Sequence, residues 1–329
     1  MQTKTVAGRT WHFTRPIGWL SARGRGFWHP LSVTIAPEGI LYVLNSGDRQ
    51  GEPITKLNFD EEFLGEFGSD DLTWPNSLAL DADGNVYCSD AYGHFIAVYS
   101  PDGDRIGKWG EQGTDEGLLN RPAGLAFDSD DNLLLVDSEN GRVQKFTKDG
   151  RFLSSWGAPG SCDGQFDRPW GISIDKDGCI YVADWGNDRV QKFSPEGDFL
   201  MRFGSPKDDG GQLDHPSDVA VDSEGDVYVT DWGNNRVQIY YPDGDIIAGL
   251  YGDAREFSKW ARDFMDSNPD YVKAFQRVDP VEMVSLGHFQ RPGGIAIDAD
   301  DRIVITDGIR CRLQVYAKDK DYLEPQFNL

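Results

Sequence analysis

The chain has 329 residues and a formal charge of −23, from 55 acidic and 32 basic side chains, a balance that counts against nucleic acid or an anionic membrane as a main partner. No run approaches the ~20 apolar residues of a membrane-spanning helix, and the start, MQTKTVAGRT, lacks the apolar core of a signal peptide. The expectation is a cytoplasmic protein with no membrane association. Cys88, Cys162, Cys179 and Cys311 form no CxxC pair and are read as free thiols, with Cys162, in a Gly-rich loop, the exposed one.

Six phrases punctuate the chain: Phe27-Trp28-His29-Pro30, Leu72-Thr73-Trp74-Pro75, Leu119-Asn120-Arg121-Pro122, Phe166-Asp167-Arg168-Pro169, Leu213-Asp214-His215-Pro216 and Phe289-Gln290-Arg291-Pro292. Successive prolines lie 45, 47, 47, 47 and 76 residues apart, the period of four-stranded blades around an axis. Within one unit, Gly171-Ile172-Ser173-Ile174-Asp175, Cys179-Ile180-Tyr181-Val182-Ala183-Asp184, Arg189-Val190-Gln191-Lys192-Phe193 and Phe199-Leu200-Met201-Arg202-Phe203-Gly204 read as an up-and-down meander joined by turns. Many acids fall in such turns, as in Asp81-Ala82-Asp83-Gly84 and Asp175-Lys176-Asp177-Gly178, so turn geometry accounts for much of the acidity. These strings also look like calcium loops but lack the closing glutamate of an EF-hand.

The last unit lacks its own fourth strand. Trp11-His12-Phe13-Thr14-Arg15-Pro16-Ile17, placed before Pro30 as other fourth strands stand before their prolines, supplies it and closes the ring without an open edge. Between Gly252 and Phe289 about 28 additional residues carry Phe257, Trp260, Phe264, Tyr271 and Phe275 at helical spacings around a Ser-Asn-Pro turn. They predict two short amphipathic helices over about 253–287, serving either as a lid over the top face or as packing for the last blade. The expected fold is thus an all-β, six-bladed β-propeller of four-stranded antiparallel blades, residues 1–329 forming one domain, with a short helical insertion between blades five and six.

Arg168-Pro169-Trp170-Gly171-Ile172-Ser173-Ile174-Asp175, followed by Tyr181-Val182-Ala183-Asp184-Trp185-Gly186-Asn187-Asp188-Arg189-Val190, resembles an NHL repeat. The resemblance implies this propeller; NHL proteins include amidating lyases, RNA-binding domains and protein-interaction platforms. In peptidylhydroxyglycine amidating lyase the residue after the proline supplies zinc-binding histidines. Here that position reads Leu31, Asn76, Ala123, Trp170, Ser217 and Gly293, so those histidines are not matched. The similar propeller lactonases hold a divalent cation in the channel with Glu, Asn and Asp, which implies Asn76 and Asp218 as two oxygen ligands of a possible channel metal.

Loops before the first strand and between the second and third share one face, called the top. The residue before each proline then adds one side chain to a ring: His29, Trp74, Arg121, Arg168, His215 and Arg291. Three guanidiniums there suggest an anionic ligand, unless each simply pairs with local acids or backbone. A second layer pairs Asp137 with Arg142, Asp184 with Arg189, Asp231 with Arg236 and Asp307 with Arg312, and is read as structural. Blade two breaks the rule, keeping Asp90 but placing Phe95 at the arginine position and adding Tyr92 and His94; blade one has Asn45 and the longer loop Asp48-Arg49-Gln50-Gly51-Glu52.

The second residue after each proline is Ser32, Ser77, Gly124, Gly171, Asp218 or Gly294. Asp218 alone brings a carboxylate, so His215 and Asp218 are the candidates for acid–base work, against the reading that backbone amides satisfy Asp218. Trp185 and Trp232 occupy equivalent loops on adjacent blades. The resulting expectation is a lyase or hydrolase acting on a small anionic molecule in a lidded top-face pocket. Its site residues would be His29, Trp74, Asn76, Asp90, Tyr92, His94, Arg121, Arg168, Trp170, Trp185, Trp232 and Arg291. The alternative is a non-catalytic scaffold for a peptide or protein partner.

Overall fold

Apolar runs separated by Asp-Gly turns form six antiparallel sheets whose innermost strands touch in a closed circle, the six-bladed propeller expected from the repeat. The structure is a computed structural model that describes residues 3–6, 8–46, 51–69, 72–204, 211–268, 270, 273 and 286–319. Five innermost strands start at the repeated proline: Pro30–Ile35, Pro75–Leu80, Pro122–Phe127, Pro216–Val221 and Pro292–Ile297; blade four begins at Ile172–Ile174. The remaining strands of blade four, Ile180–Asp184, Arg189–Phe193 and Phe199–Phe203, follow the meander read from the sequence.

The turns explain the acidity. Asp81 Oδ1 accepts the amides of Asp83 (3.0 Å) and Asn85 (2.8 Å), and Asp175 Oδ1 those of Asp177 (3.0 Å) and Cys179 (2.9 Å). Gly84 and Gly178 follow at φ 81°, where a side chain would be strained. These carboxylates act as local turn formers.

The core is divided among the six blade junctions. On the innermost strands, Val33, Leu78, Leu125, Ile172, Val219 and Ile295 pack toward the preceding blade, whereas the next residue, as at Ala79, Ala126, Ala220 and Ala296, packs toward the following one. Those second positions are small because blades converge near the axis. Burying each large side chain contributes roughly 1.5–3 kcal/mol.

Both chain ends meet in blade six. Arg9–Ile17 pairs with Arg312–Lys318, setting Trp11 opposite Lys318 and Ile17 opposite Leu313. A further strand, Thr3–Val6, which the sequence reading did not anticipate, pairs outside it and makes this sheet five-stranded. Charge fastens the closure to blade five's first hairpin: buried Lys318 Nζ lies 2.6 Å from Asp222, 2.7 Å from Asp226 and 2.7 Å from Glu224, and Arg9 also pairs with Asp226.

Within the insertion, helix α1 spans Lys259–Asp266, with the Ser258 side chain accepting the Ala261 amide. Tyr271 and Phe275, expected on a second helix, lie outside the described residues, as do residues 48–50 of the long blade-one loop. Among the described residues no helix is long and apolar enough to cross a membrane.

Candidate functional site

A buried aspartate organises the top loop of five blades, at Asp90, Asp137, Asp184, Asp231 and Asp307, and Asn45 takes its place in blade one. Asp184 Oδ1 accepts the Asp167 amide at 2.8 Å, while Oδ2 receives Arg189 Nε (2.8 Å), Asn187 (2.9 Å) and Gln191 (3.1 Å). Asp137–Arg142 (2.8 Å), Asp231–Arg236 (2.7 Å) and Asp307–Arg312 (2.9 Å) repeat the pairing. These pairs hold loops, as their regularity led us to expect. Burial pushes the carboxyls of Asp184, Asp231 and Asp307 up, against the hydrogen bonds that favour their charge.

The residue before the proline takes an unexpected conformation. His29, Arg121, Arg168, His215 and Arg291 have φ between 44° and 56°, a left-handed region costly for non-glycine residues. In three blades the geometry delivers the backbone N–H to the preceding blade: Arg121 to His94 Nδ1 (3.1 Å), His215 to Asp188 Oδ1 (2.8 Å) and Arg291 to Asn235 Oδ1 (2.8 Å). His94 is therefore engaged in joining blades. Trp74 is outside the left-handed set; Asp90 accepts its amide (2.9 Å) and those of Thr73 (2.5 Å) and Gly93 (2.7 Å).

Inside this collar lies a cavity of about 290 Å³ lined by Leu31, Ser32, Asn76, Ser77, Gly124, Trp170, Gly171, Trp185, Ser217, Asp218, Trp232, Gly293 and Gly294. Five of the residues singled out from sequence, Asn76, Trp170, Trp185, Asp218 and Trp232, form its walls. His29, Trp74, Asp90, Tyr92, His94, Arg121, Arg168, His215 and Arg291 do not. The arginines sit on the rim against aromatic rings: Arg168 lies 4.9 Å from the Trp185 ring, Arg291 4.4 Å from Trp232 and Arg121 5.9 Å from Trp74. Stacking on indole satisfies a guanidinium without bringing it inward. His215 packs 4.1 Å from the Trp185 ring and sets Nδ1 2.5 Å from Asp214, so it shares a blade with Asp218 but not the cavity.

Asp218 marks a neck. It lines both this cavity and a lower one of about 410 Å³ formed by the innermost strands. Its Oδ2 accepts the Ile295 amide of the next blade (3.0 Å) and its Oδ1 the Val219 amide (2.9 Å). Burial raises its pKa to about 7, the two amides only partly opposing that rise. Room for the carboxylate comes from Gly171, where any Cβ would collide with Asp218 and with the Ser217 carbonyl. Ser217, which sequence reasoning did not select, reaches the Gly293 carbonyl (2.8 Å) and Thr230 Oγ1 (3.0 Å); its place directly after the proline was the available signal.

The channel donors do not fit a lactonase-type divalent ion. Asp218 is the one acid among the described lining residues and Asn76 the one side-chain amide, a sparse set against the roughly 6–8 oxygen ligands that a calcium ion takes. Acidic clusters among the described residues lie elsewhere: Asp188, Asp214 and His215 on the rim, and Asp81, Asp83 and Asp131 at the turns. Lys148 already bridges Asp83 (2.9 Å) and Asp131 (3.2 Å).

Helix α1 does not line the cavity. Trp260 buries among Ile17, Phe27 and Leu57 at the junction of blades six and one, and its Nε1 donates to the Glu61 carbonyl at 2.7 Å. The Glu61 carboxylate accepts the amides of Lys259 (2.6 Å), Trp260 (3.1 Å) and Gly18 (3.2 Å). Of the two roles open to the insertion, α1 fills the packing one.

Comparison with known proteins agrees with this architecture. The NHL repeat matches residues 213–240 and 289–316, and the SMP-30/Gluconolactonase/LRE-like region matches residues 116–211, which include the motif that first suggested NHL. The chain carries NHL repeats in a six-bladed propeller. No curated protein matches it. Among similar solved structures, a gluconolactonase from Xanthomonas campestris is 14% identical with TM-score 0.61, covering 97% of this chain and 99% of that one. An inactive virginiamycin B lyase from Staphylococcus aureus with quinupristin is 13% identical with TM-score 0.59, covering 93% and 99%. An auxiliary nutrient binding protein from Bacteroides thetaiotaomicron is 12% identical with TM-score 0.65, covering 97% and 78%. At these identities the likeness is one of fold.

Proposed function

We propose that the chain is a small-molecule enzyme, a lyase or hydrolase, in which Asp218 transfers a proton to or from a substrate in the top-face cavity. The observation that carries this reading is a carboxyl with pKa about 7 at the floor of a cavity walled by three tryptophans. Its hydrogen bonds are to backbone amides, so its proton is free to exchange with a bound molecule. Trp170, Trp185 and Trp232 provide flat apolar surface for a ring-bearing body, and Ser32, Ser77, Ser217 and Asn76 provide polar contacts. Ionised Asp218 repels a nearby anion. An acidic substrate therefore binds with its charge outward, toward Arg168 and Arg291 on the rim, and its reacting atom at the neck.

The gluconolactonase and the virginiamycin B lyase support enzymatic use of the architecture, and the partial gluconolactonase-like match supports it on this chain. The test is a screen of lyase and hydrolase substrates with wild type and Asp218→Asn. The variant should lose at least about 100-fold in kcat/KM, and the wild-type profile should bend near pH 7. Turnover that persists in Asp218→Asn removes the residue from the mechanism.

A further inference from the structure

Across the mouth from the tryptophan wall, blade two carries a second aromatic surface. Trp74 is 55% exposed and Tyr92 65%, and their rings meet edge to face at 6.0 Å. The Arg121 guanidinium stands 5.9 Å from the Trp74 ring and 3.8 Å from Glu139. Equivalent loop positions hold no aromatic in the other blades described: Glu139, Gly186, Gly233 and Ile309 stand where blade two has Tyr92.

Three independent features make this a built surface. Asp90 lacks the arginine partner of its counterparts and accepts the amides on both sides of the patch, Thr73 and Trp74 on one and Gly93 on the other, fixing the two aromatic loops relative to each other. Trp74 departs from the left-handed conformation of the other five residues before proline. Asn76, a cavity wall, follows Trp74 by two residues, which at ~3.3 Å per residue puts the patch within roughly 7 Å of the mouth.

We infer that Trp74, Tyr92 and Arg121 form an outer subsite for the part of the substrate that projects from the cavity, a planar ring bearing a negative charge. The inference rests on the reading of the cavity as the substrate site. The ring stacks on the exposed aromatic pair, and the anion meets Arg121, whose solvent-exposed pairing with Glu139 is weak enough to yield. Glu139 and buried Asp90 are the acids beside the patch; they set the limit on how much negative charge it accepts.

The experiment labels the protein with 5-fluorotryptophan, assigns the Trp74 resonance by its loss in Trp74→Phe, and titrates with indole-3-acetate, tryptamine and indole by fluorine NMR. Indole-3-acetate should shift the Trp74 signal saturably, about fivefold more tightly than tryptamine. Tyr92→Ala should weaken it about tenfold, and Arg121→Gln should abolish the preference for the anion. Both are surface substitutions, and an unchanged Tm confirms intact variants. Shifts confined to Trp170, Trp185 and Trp232 would overturn the outer subsite while leaving the cavity reading standing. An equal response to tryptamine would overturn the anionic class. Movement of the Trp74 signal with protein concentration alone, together with a dimer in sedimentation, would assign the patch to a second copy of the chain and overturn the inference. Loss of turnover in Asp218→Asn is measured separately and does not depend on any of these outcomes.

Discussion

Asp218 carries two demands, bridging blades five and six through the Ile295 amide and facing a cavity. Its folded pKa of about 7 stands above the model-peptide value of ~3.9. Between those values the native state binds the extra proton. The contribution of Asp218 to stability is therefore full below about pH 4 and is lost as pH rises through about 7. Asp218→Asn should remove this dependence, flattening the difference between melts at pH 5 and pH 8 by up to about 3 kcal/mol. Equal pH dependence in both proteins would contradict the burial argument. The Asp–Arg pairs behave differently. Arg189→Met leaves Asp184 buried and uncompensated, and denaturant unfolding should show a loss of about 3–5 kcal/mol. Arg15→Gln, which breaks the exposed pair with Asp60, should change stability by less than about 1 kcal/mol. The pairing was legible because five-residue spacing across one loop leaves an arginine little else to reach. Arginine direction at positions 121, 168 and 291 was not legible, because it depends on indoles from other loops and, for Arg121 and Arg291, from other blades.

Helix α1 shows how an insertion read correctly as helical still takes its place from outside its own sequence. Apolar spacing announced Trp260 and Phe264, but the docking site is defined by Glu61, nearly 200 positions earlier, which caps the helix amides and accepts the indole N–H. Carboxylates at a helix start satisfy amides that have no partner within the helix. Trp260→Ala should cost about 3–5 kcal/mol by opening a cavity between blades six and one. Glu61→Ala should cost about 1–2 kcal/mol through the lost cap. Neither should alter ligand affinity in the top cavity, measured by titration calorimetry; a change in affinity would return the insertion to a role as lid.

For the molecule as a whole, closure of the ring depends on the seam where the two chain ends pair. Arg9–Ile17 supplies blade six with an outer strand, and Lys318 ties that blade to Asp222 and Asp226 of blade five. Lys318→Met leaves buried Asp222 without its cation while Asp226 keeps Arg9, so unfolding should come about 3–5 kcal/mol earlier. Removing residues 1–17 should expose the edge of Arg312–Lys318 and produce aggregates on size exclusion; a monomer with wild-type Tm would show the seam to be dispensable. Sequence alone determined the blade count, the meander within each blade and the origin of the closing strand, because repeated prolines, Asp-Gly turns and alternating apolar residues act over a few neighbouring positions. Which side chains face the cavity, why five residues before proline turn left-handed, where α1 docks and how far Asp218 is desolvated were decided by tertiary structure. Each depends on contacts between blades, and local pattern carries no record of the distance or angle at which one blade meets the next.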